Sequence, residues 1–241
     1  MTERLYRDDA YAKTADAKVL AVTERGGIVL DRTVFYAAAG GQPGDLGRIE
    51  LDGMGSIAIA TAVYDADKST IVHVPATPLT VPPQVGATAR VSLDWDNRHK
   101  LMRMHTGLHL LCSLVKFPVT GGQIGTDDGR LDFDITDSDA VDKDKLTDQL
   151  NALIDGHHAI TEQWITDAEL EANPGLVRTM AVKPPMGSGR VRLVLIGADG
   201  VIDRQPCGGT HVKSTSEIGR MMVTKIEKKG KLNRRIRVAF A

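Results

Sequence analysis

LMRMHTGLHLLCSLV, residues 101–115, is where the periodicity of the chain changes. Leu101, Met104, His105, Leu108, His109, Cys112 and Val115 recur at steps of three and four, the spacing of one helix face, and Asp94 or Asp96 can cap its start. Pro118 and the pair Gly121 and Gly122 are expected to end this helix. Upstream, from residue 17, AKVLAV, GIVLDRTVFY, GRIELD, SIAIATAVY, STIVHV and ATARVSLD are short, β-branched runs separated by Gly, Pro and Asp. They predict a small β-barrel or sandwich, and VPPQVGA at 81–87 marks its boundary with the helical half of the chain. Downstream, GRLDFDI reads as a strand, DAVDKDKLTDQLNALIDGHHAI as a second amphipathic helix, and DAELEANPG as a third, short one stopped by Pro174 and Gly175. VRLVLIG, GVIDR, RMMVTKIEKKG and RRIRVAFA complete the pattern as strands. The expected class is α+β, with a small β-barrel domain over 1–90 and, over 91–241, helices packed on a mostly antiparallel sheet.

At 241 residues the chain can bury a core without metal or disulfide staples, and its net charge of −1 gives no general attraction to polyanions. Any nucleic-acid contact must therefore come from a local patch, and with 4% aromatic residues base stacking has few platforms to use. No segment approaches the roughly 20 apolar residues of a membrane helix, and MTERLYRDDAYAKTADAKVL lacks the apolar core of a secretion signal, so a soluble, cytoplasmic protein is expected. Of its two cysteines, one is expected to fill the core and the other to ligate a metal.

His105 and His109 are four apart, about 6 Å along one helix face, so both imidazoles can reach one point. They also fall on the apolar stripe, where an unsatisfied polar group costs about 1–3 kcal/mol, so something must pair with them. Two core histidines bonded to protein groups would meet that need. Gly107 between them suggests close approach by a backbone or a ligand. The second cluster tips the balance. QPCGGTHV sets Cys207 and His211 four apart in a loop whose Gly208 and Gly209 free the backbone, and three imidazoles with a thiolate suffice for tetrahedral zinc. Thr106 occupies the position at which an HExxH peptidase keeps its general base, which argues against that class.

HTGLHLL and CGGTHV, in that order and about a hundred residues apart, resemble the editing domain of alanyl-tRNA synthetases and their free-standing relatives, the AlaX proteins. LDRTVFYAAAGGQPGDLG is similar to that family's glycine-rich segment, GGQIG with GRLDFDI to the region after its first helix, and IGRMMVTKIEKKGKLNRRIRVAF to its C-terminal end. The resemblance runs along essentially all 241 residues and leaves no room for an aminoacylation domain, which suggests the medium-length, free-standing type. It implies a Zn2+-dependent esterase that acts in trans on tRNA(Ala) mischarged with serine or glycine. His105, His109, Cys207 and His211 fall on the family's metal ligands and Gln123 on its pocket glutamine. Gly40, Gly41, Gln42 and Asp45 fall on the glycine-rich motif beside the substrate. Gly107 departs from the family's usual alanine, and Ala38 and Ala39 from its more polar residues.

Thr106 and Gln123 are accordingly expected to place substrate or water. The run KIEKKGKLNRRIR carries seven basic residues against one acid, so Lys225, Lys228, Lys229, Arg234 and Arg235 are expected to contact tRNA phosphates; its other reading is a charged, aggregation-resistant strand edge. The Asp-rich stretch 127–148 is expected to face away from RNA. His157 and His158 suit a helix C-terminus without metal, and His73 and His99 are taken as structural. The competing function is a zinc-stabilised tRNA-binding module without hydrolytic activity.

Overall fold

The computed structural model describes residues 1–135, 141–180, 189–230 and 233–241. The middle of the Asp-rich stretch and Lys231 of the basic run lie outside the described residues. Two compact units emerge, Met1–His99 and Lys100–Ala241. The strands of the first are β1 (Glu3–Arg4), β2 (Thr14–Val22), β3 (Ile28–Leu30), β4 (Arg32–Thr33), β5 (Gly47–Leu51), β6 (Gly55–Tyr64), β7 (Ile71–Pro75) and β8 (Thr88–Leu93). Helix α1 (Trp95–Leu114) begins in that unit and continues into the second. The second also contains β9 (Val119–Ile124), β10 (Asp128–Asp134), α2 (Lys143–Asp155), β11 (Ile160–Thr166), α3 (Asp167–Glu171), β12 (Arg190–Ile196), β13 (Asp203–Pro206), β14 (Met221–Lys229) and β15 (Asn233–Phe240).

In the first unit β2, β3, β7, β6, β5 and β8 close into a barrel in that order, so the expected barrel stands and the sandwich alternative falls. Alternation sends Val19, Ile28, Leu30, Ile49, Ile59, Ile71 and Val91 inward to a common core with Phe35. His73 lies in β7 with no exposed surface. Its Nδ1–H donates to the Ile28 carbonyl at 3.0 Å, and its Nε2 accepts from the Thr33 hydroxyl at 2.8 Å.

The glycine-rich segment turns back on itself. Ala39 and Gln42 exchange backbone hydrogen bonds, while Gly40 and Gly41, at φ 58° and 85°, form the left-handed pair of a type I′ turn. At Gly44 an added Cβ would lie 2.0 Å from the Ala62 carbonyl oxygen, so only glycine lets the segment pass β6. Asp45 is then fully buried against Arg98 of α1, itself fully buried. The Arg98 Nε donates to both Asp45 oxygens and its other nitrogens to the carbonyls of Ala10 and Val34, at 2.9 and 2.7 Å. The Asp45 carboxylate also accepts from the Tyr36 N–H. The expectation that Asp45 contacts substrate is corrected here: its oxygens serve the first turn of α1 and the strand end beside it.

In the second unit β14, β15, β10 and β9 form one antiparallel sheet and β11, β12 and β13 another. The Asn151 amide of α2 pairs with both backbone groups of Met221, and Thr147 accepts from the Val223 N–H, so α2 closes the β14 edge. Helix α1 ends at Leu114, ahead of Pro118, and Gly121 and Gly122 lie inside β9 rather than acting as stops. Its burial is also broader than one stripe, since residues 104–112 are all buried. What approaches Gly107 from the protein is a side chain rather than a backbone: an added Cβ would lie 2.4 Å from Met221 Sδ.

Two outcomes are expected of the first unit. Asp45→Ala leaves the Arg98 charge buried and uncompensated and is expected to lower unfolding stability by about 3–5 kcal/mol in a denaturant titration; unchanged stability with altered substrate affinity would return Asp45 to the substrate. Burial holds the His73 imidazole down at about 4 against its backbone bond to Ile28. That value lies below the unfolded value of about 6.5, so the unfolded chain takes up this proton first and stability falls as pH drops from 6.5 toward 4, by at most about 3 kcal/mol. His73→Gln should flatten that part of the stability–pH curve, and an unchanged slope would contradict a buried neutral ring.

Candidate metal centre

Helix periodicity puts His105 and His109 side by side on α1, and the loop after β13 brings Cys207 and His211 to them. One donor atom from each of the four residues falls in a cluster within 4.8 Å of one another. The three ring centroids are 4.2, 4.6 and 5.2 Å apart. Cys207 Sγ lies 3.5 Å from His105 Nε2 and 3.3 Å from His211 Nε2. Zinc–nitrogen and zinc–sulfur bond lengths with tetrahedral angles give an N–S edge of about 3.5 Å, so these separations and the borderline-soft donor set fit Zn2+.

Two of the imidazoles are oriented from behind. His109 Nδ1–H donates to Asp203 Oδ2 at 2.8 Å, and the Gln205 amide donates to the same oxygen at 2.8 Å. Asp203 and Gln205 point to one face of β13 because they are two residues apart, and Cys207 comes next at the same interval. Behind His211 stands Thr106. Its only hydroxyl proton goes to the Met102 carbonyl at 2.9 Å, so its oxygen accepts from His211 Nδ1–H at 3.1 Å and from the Val212 N–H at 3.3 Å. Both bonds fix the ring orientation that turns Nε2 toward the cluster, where a metal would take the place of any proton on it.

The loop is held by Arg192 of β12. Its Nη1 donates to the carbonyls of Cys207 and Gly209, each at 2.9 Å, and its Nη2 to Glu162 Oε1 at 2.5 Å. The Gly209 N–H in turn donates to Cys207 Sγ at 3.4 Å. Neither Gly208 nor Gly209 has a positive φ, so these glycines do not act through left-handed backbone.

Electrostatics separate the two cysteines. Burial would raise the Cys207 thiol, but His105 and His211 bring it well below the ordinary value and favour the thiolate. Burial pushes Cys112 up to about 11, and it remains a neutral thiol inside α1. For His109, burial opposes protonation, yet Asp203 and the Cys207 sulfur raise it to about 10.

The structure thus gathers His105, His109, Cys207 and His211, as the spacing suggested. Thr106 is fully buried behind His211, which corrects the expectation that it touches substrate or water. Gln123 is exposed on β9, its Oε1 accepting from Arg130 Nε at 3.3 Å. Gly40, Gly41 and Gln42 belong to the first unit, where Gln42 is buried. His157 and His158 are not in the donor cluster, and His99 stacks on Trp95 at 5.3 Å between centroids.

The basic run is neutralised in part. Arg235 makes two bonds to Asp132, at 2.7 and 2.9 Å, and Lys225 and Arg237 flank Glu227 at 3.1 and 2.8 Å. Arg237, then Lys225, holds the Glu227 carboxyl down to about 2. Arg234 is 6% exposed, which corrects its reading as a phosphate contact. Lys228 and Lys229 stay exposed at the end of β14. Asp203, Gln205 and Arg192 were missed in the sequence, although the alternation of Asp203, Gln205 and Cys207 was there as a signal.

Residues 191–237 match the family described as the threonyl and alanyl tRNA synthetase second additional domain. The alanyl-tRNA editing protein AlaX-M of Methanosarcina mazei is 34% identical to the chain over 98% of this chain and 95% of its own length. The alanine–tRNA ligase of Pyrobaculum arsenaticum is 32% identical over 94% of this chain but only 25% of the ligase. The AlaX-L protein of Pyrococcus horikoshii is 31% identical over 96% of this chain and 56% of its own length. A match that spans both partners almost end to end at this identity places the chain in the family of alanyl-tRNA editing proteins, with the AlaX-M type.

Proposed function

We propose that the chain is a trans-editing hydrolase that cleaves the ester joining serine, and also glycine, to tRNA(Ala), with Zn2+ held by His105, His109, Cys207 and His211. The observation that supports it most is that four-donor cluster in a chain matched end to end by AlaX-M proteins. Zinc held there would supply Lewis acidity for ester hydrolysis. The protein's part is to keep the donors ready. Asp203 and Thr106 hold the His109 and His211 rings, Arg192 fixes the Cys207 backbone, and the Gly209 N–H bonds the sulfur.

Gln123 is proposed to supply the amide that recognises the mischarged amino acid. A site that hydrogen-bonds the serine hydroxyl can reject alanine by about 10⁴-fold, whereas glycine must be admitted by excluding the alanine methyl. Among the proposed phosphate contacts, Lys228 and Lys229 are the exposed pair without an ion pair among the described residues. No helix among these residues is long and apolar enough to cross a membrane, and the proposed place of action is the cytoplasm.

Incubation with serine-, glycine- and alanine-charged tRNA(Ala) tests the activity: serine and glycine should be released, alanine retained, and a chelator should stop the release. RNA binding with no release of serine in the presence of zinc would leave the metal a closed, structural site and the chain a binding module. Asp203→Asn should weaken zinc binding by about 10- to 100-fold in competition with a chromogenic chelator, because the charged acceptor behind His109 is replaced by a neutral amide. An unchanged affinity would show that Asp203 does not set the His109 ring.

A further inference from the structure

The face of the β11–β12–β13 sheet that carries the metal loop extends to an exposed indole. Opposite residues in an antiparallel sheet share a face, so the register sets Val194 with Gln205, Ile196 with Asp203, Glu162 with Val194, and Trp164 with Arg192. The other face takes Ile165, Val191, Leu193 and Leu195 into an apolar cluster with Leu170. Asp203 and Gln205 work on the metal ligands from the first face, and Arg192 reaches from it to the Cys207 and Gly209 carbonyls. Trp164 lies two strands from β13, about 10 Å at ordinary strand spacing. It keeps 40% of its surface exposed, one of two tryptophans in the chain, and the Arg190 guanidinium carbon sits 4.6 Å from its ring centroid.

A large aromatic surface left in water on an edge strand, with a cation stacked against it, suits a ligand that is flat and anionic at once. An unpaired nucleotide has both properties: a base to stack on the indole and a phosphate for the arginine. We propose that Trp164 and Arg190 form the stacking site for the base of the unpaired 3′-terminal nucleoside of an RNA, whose ribose end is then directed along the sheet face toward the His105, His109, Cys207 and His211 cluster. This assignment rests on the reading of the chain as an aminoacyl-tRNA hydrolase, since it is the ribose hydroxyl of that nucleoside that bears the ester. Glu162, on the same strand and face as Trp164, is tied to Arg192, which in turn bonds the carbonyls of the metal loop.

The probe is an uncharged RNA hairpin with a single-stranded 3′ end terminating in adenosine, titrated by fluorescence anisotropy against the zinc-loaded full chain. Trp164→Ala should weaken binding about 5- to 100-fold, the range of one base stacked on an aromatic ring, while Trp164→Phe keeps most of it. Zinc content should stay that of the parent in both variants, which separates lost stacking from a damaged metal loop. A hairpin whose terminal nucleotide is abasic should bind the parent and Trp164→Ala equally. Equal affinity of the parent and Trp164→Ala for the intact hairpin, or an equal loss with the abasic one, overturns the assignment. If the parent releases no serine from charged tRNA(Ala) yet binds the hairpin through Trp164, the hydrolase reading fails and the stacking site stands. If serine is released normally while Trp164→Ala changes neither hairpin affinity nor KM, the stacking site alone fails.

Discussion

An imidazole on the buried face of a helix must use both of its nitrogens. That constraint organises the second unit. Helix α1 is buried around most of its circumference near His105 and His109, so water is not there to serve as the second partner. For His109 the partner is a carboxylate from β13, and for His211 it is a hydroxyl from α1 itself. In each case the nitrogen pointing outward from the cluster is spoken for, and the one pointing inward is turned toward the other donors. The polar groups that make the core tolerable are therefore the same ones that make a four-donor site.

This dependence reaches into the strands. Because side chains alternate along β13, a slip of one residue against β12 would turn Asp203 and Gln205 away from α1, and the start of the Cys207 loop with them. Arg192 guards against that slip by bonding the loop carbonyls from the neighbouring strand, and the Cys207 N–H returns a bond to the Arg192 carbonyl at 3.2 Å. Metal geometry and strand register are one problem here.

Much of this was legible in the sequence because it is local. The barrel strands announce themselves by alternation between Gly, Pro and Asp turns, and the four-residue spacings of His105 with His109 and Cys207 with His211 need no tertiary information. What escaped is non-local. Strand β11 hides in a polar run, ITEQWIT, whose outer residues face solvent, and β9 hides because Gly121 and Gly122 resemble a helix stop. The turn at Gly40 and Gly41 was readable as turn chemistry, but nothing near Asp45 announces that its partner is Arg98, since the ion pair joins residues 53 positions apart. Thr106 misled for the same reason: its neighbour in sequence is a ligand, while its hydroxyl serves a different ligand 105 positions away.

The C-terminal run makes the reverse point, that local composition can overstate a function. Seven basic residues against one acid suggest a phosphate-binding stripe, yet β15 lies between β14 and β10 and so meets their carboxylates. Asp132 accepts from both Arg130 and Arg235, and Glu227 from both Lys225 and Arg237, so one face of the sheet is a ladder of alternating charge. Four cations against two carboxylates leave the ladder net positive, but those cations are each held by a carboxylate, and its exposed pairs are worth no more than about 1 kcal/mol each. With Lys225, Arg235 and Arg237 held by carboxylates, the exposed cations left on the run among the described residues are Lys228 and Lys229 at the end of β14, so composition alone overstates how much of this strand can face a phosphate.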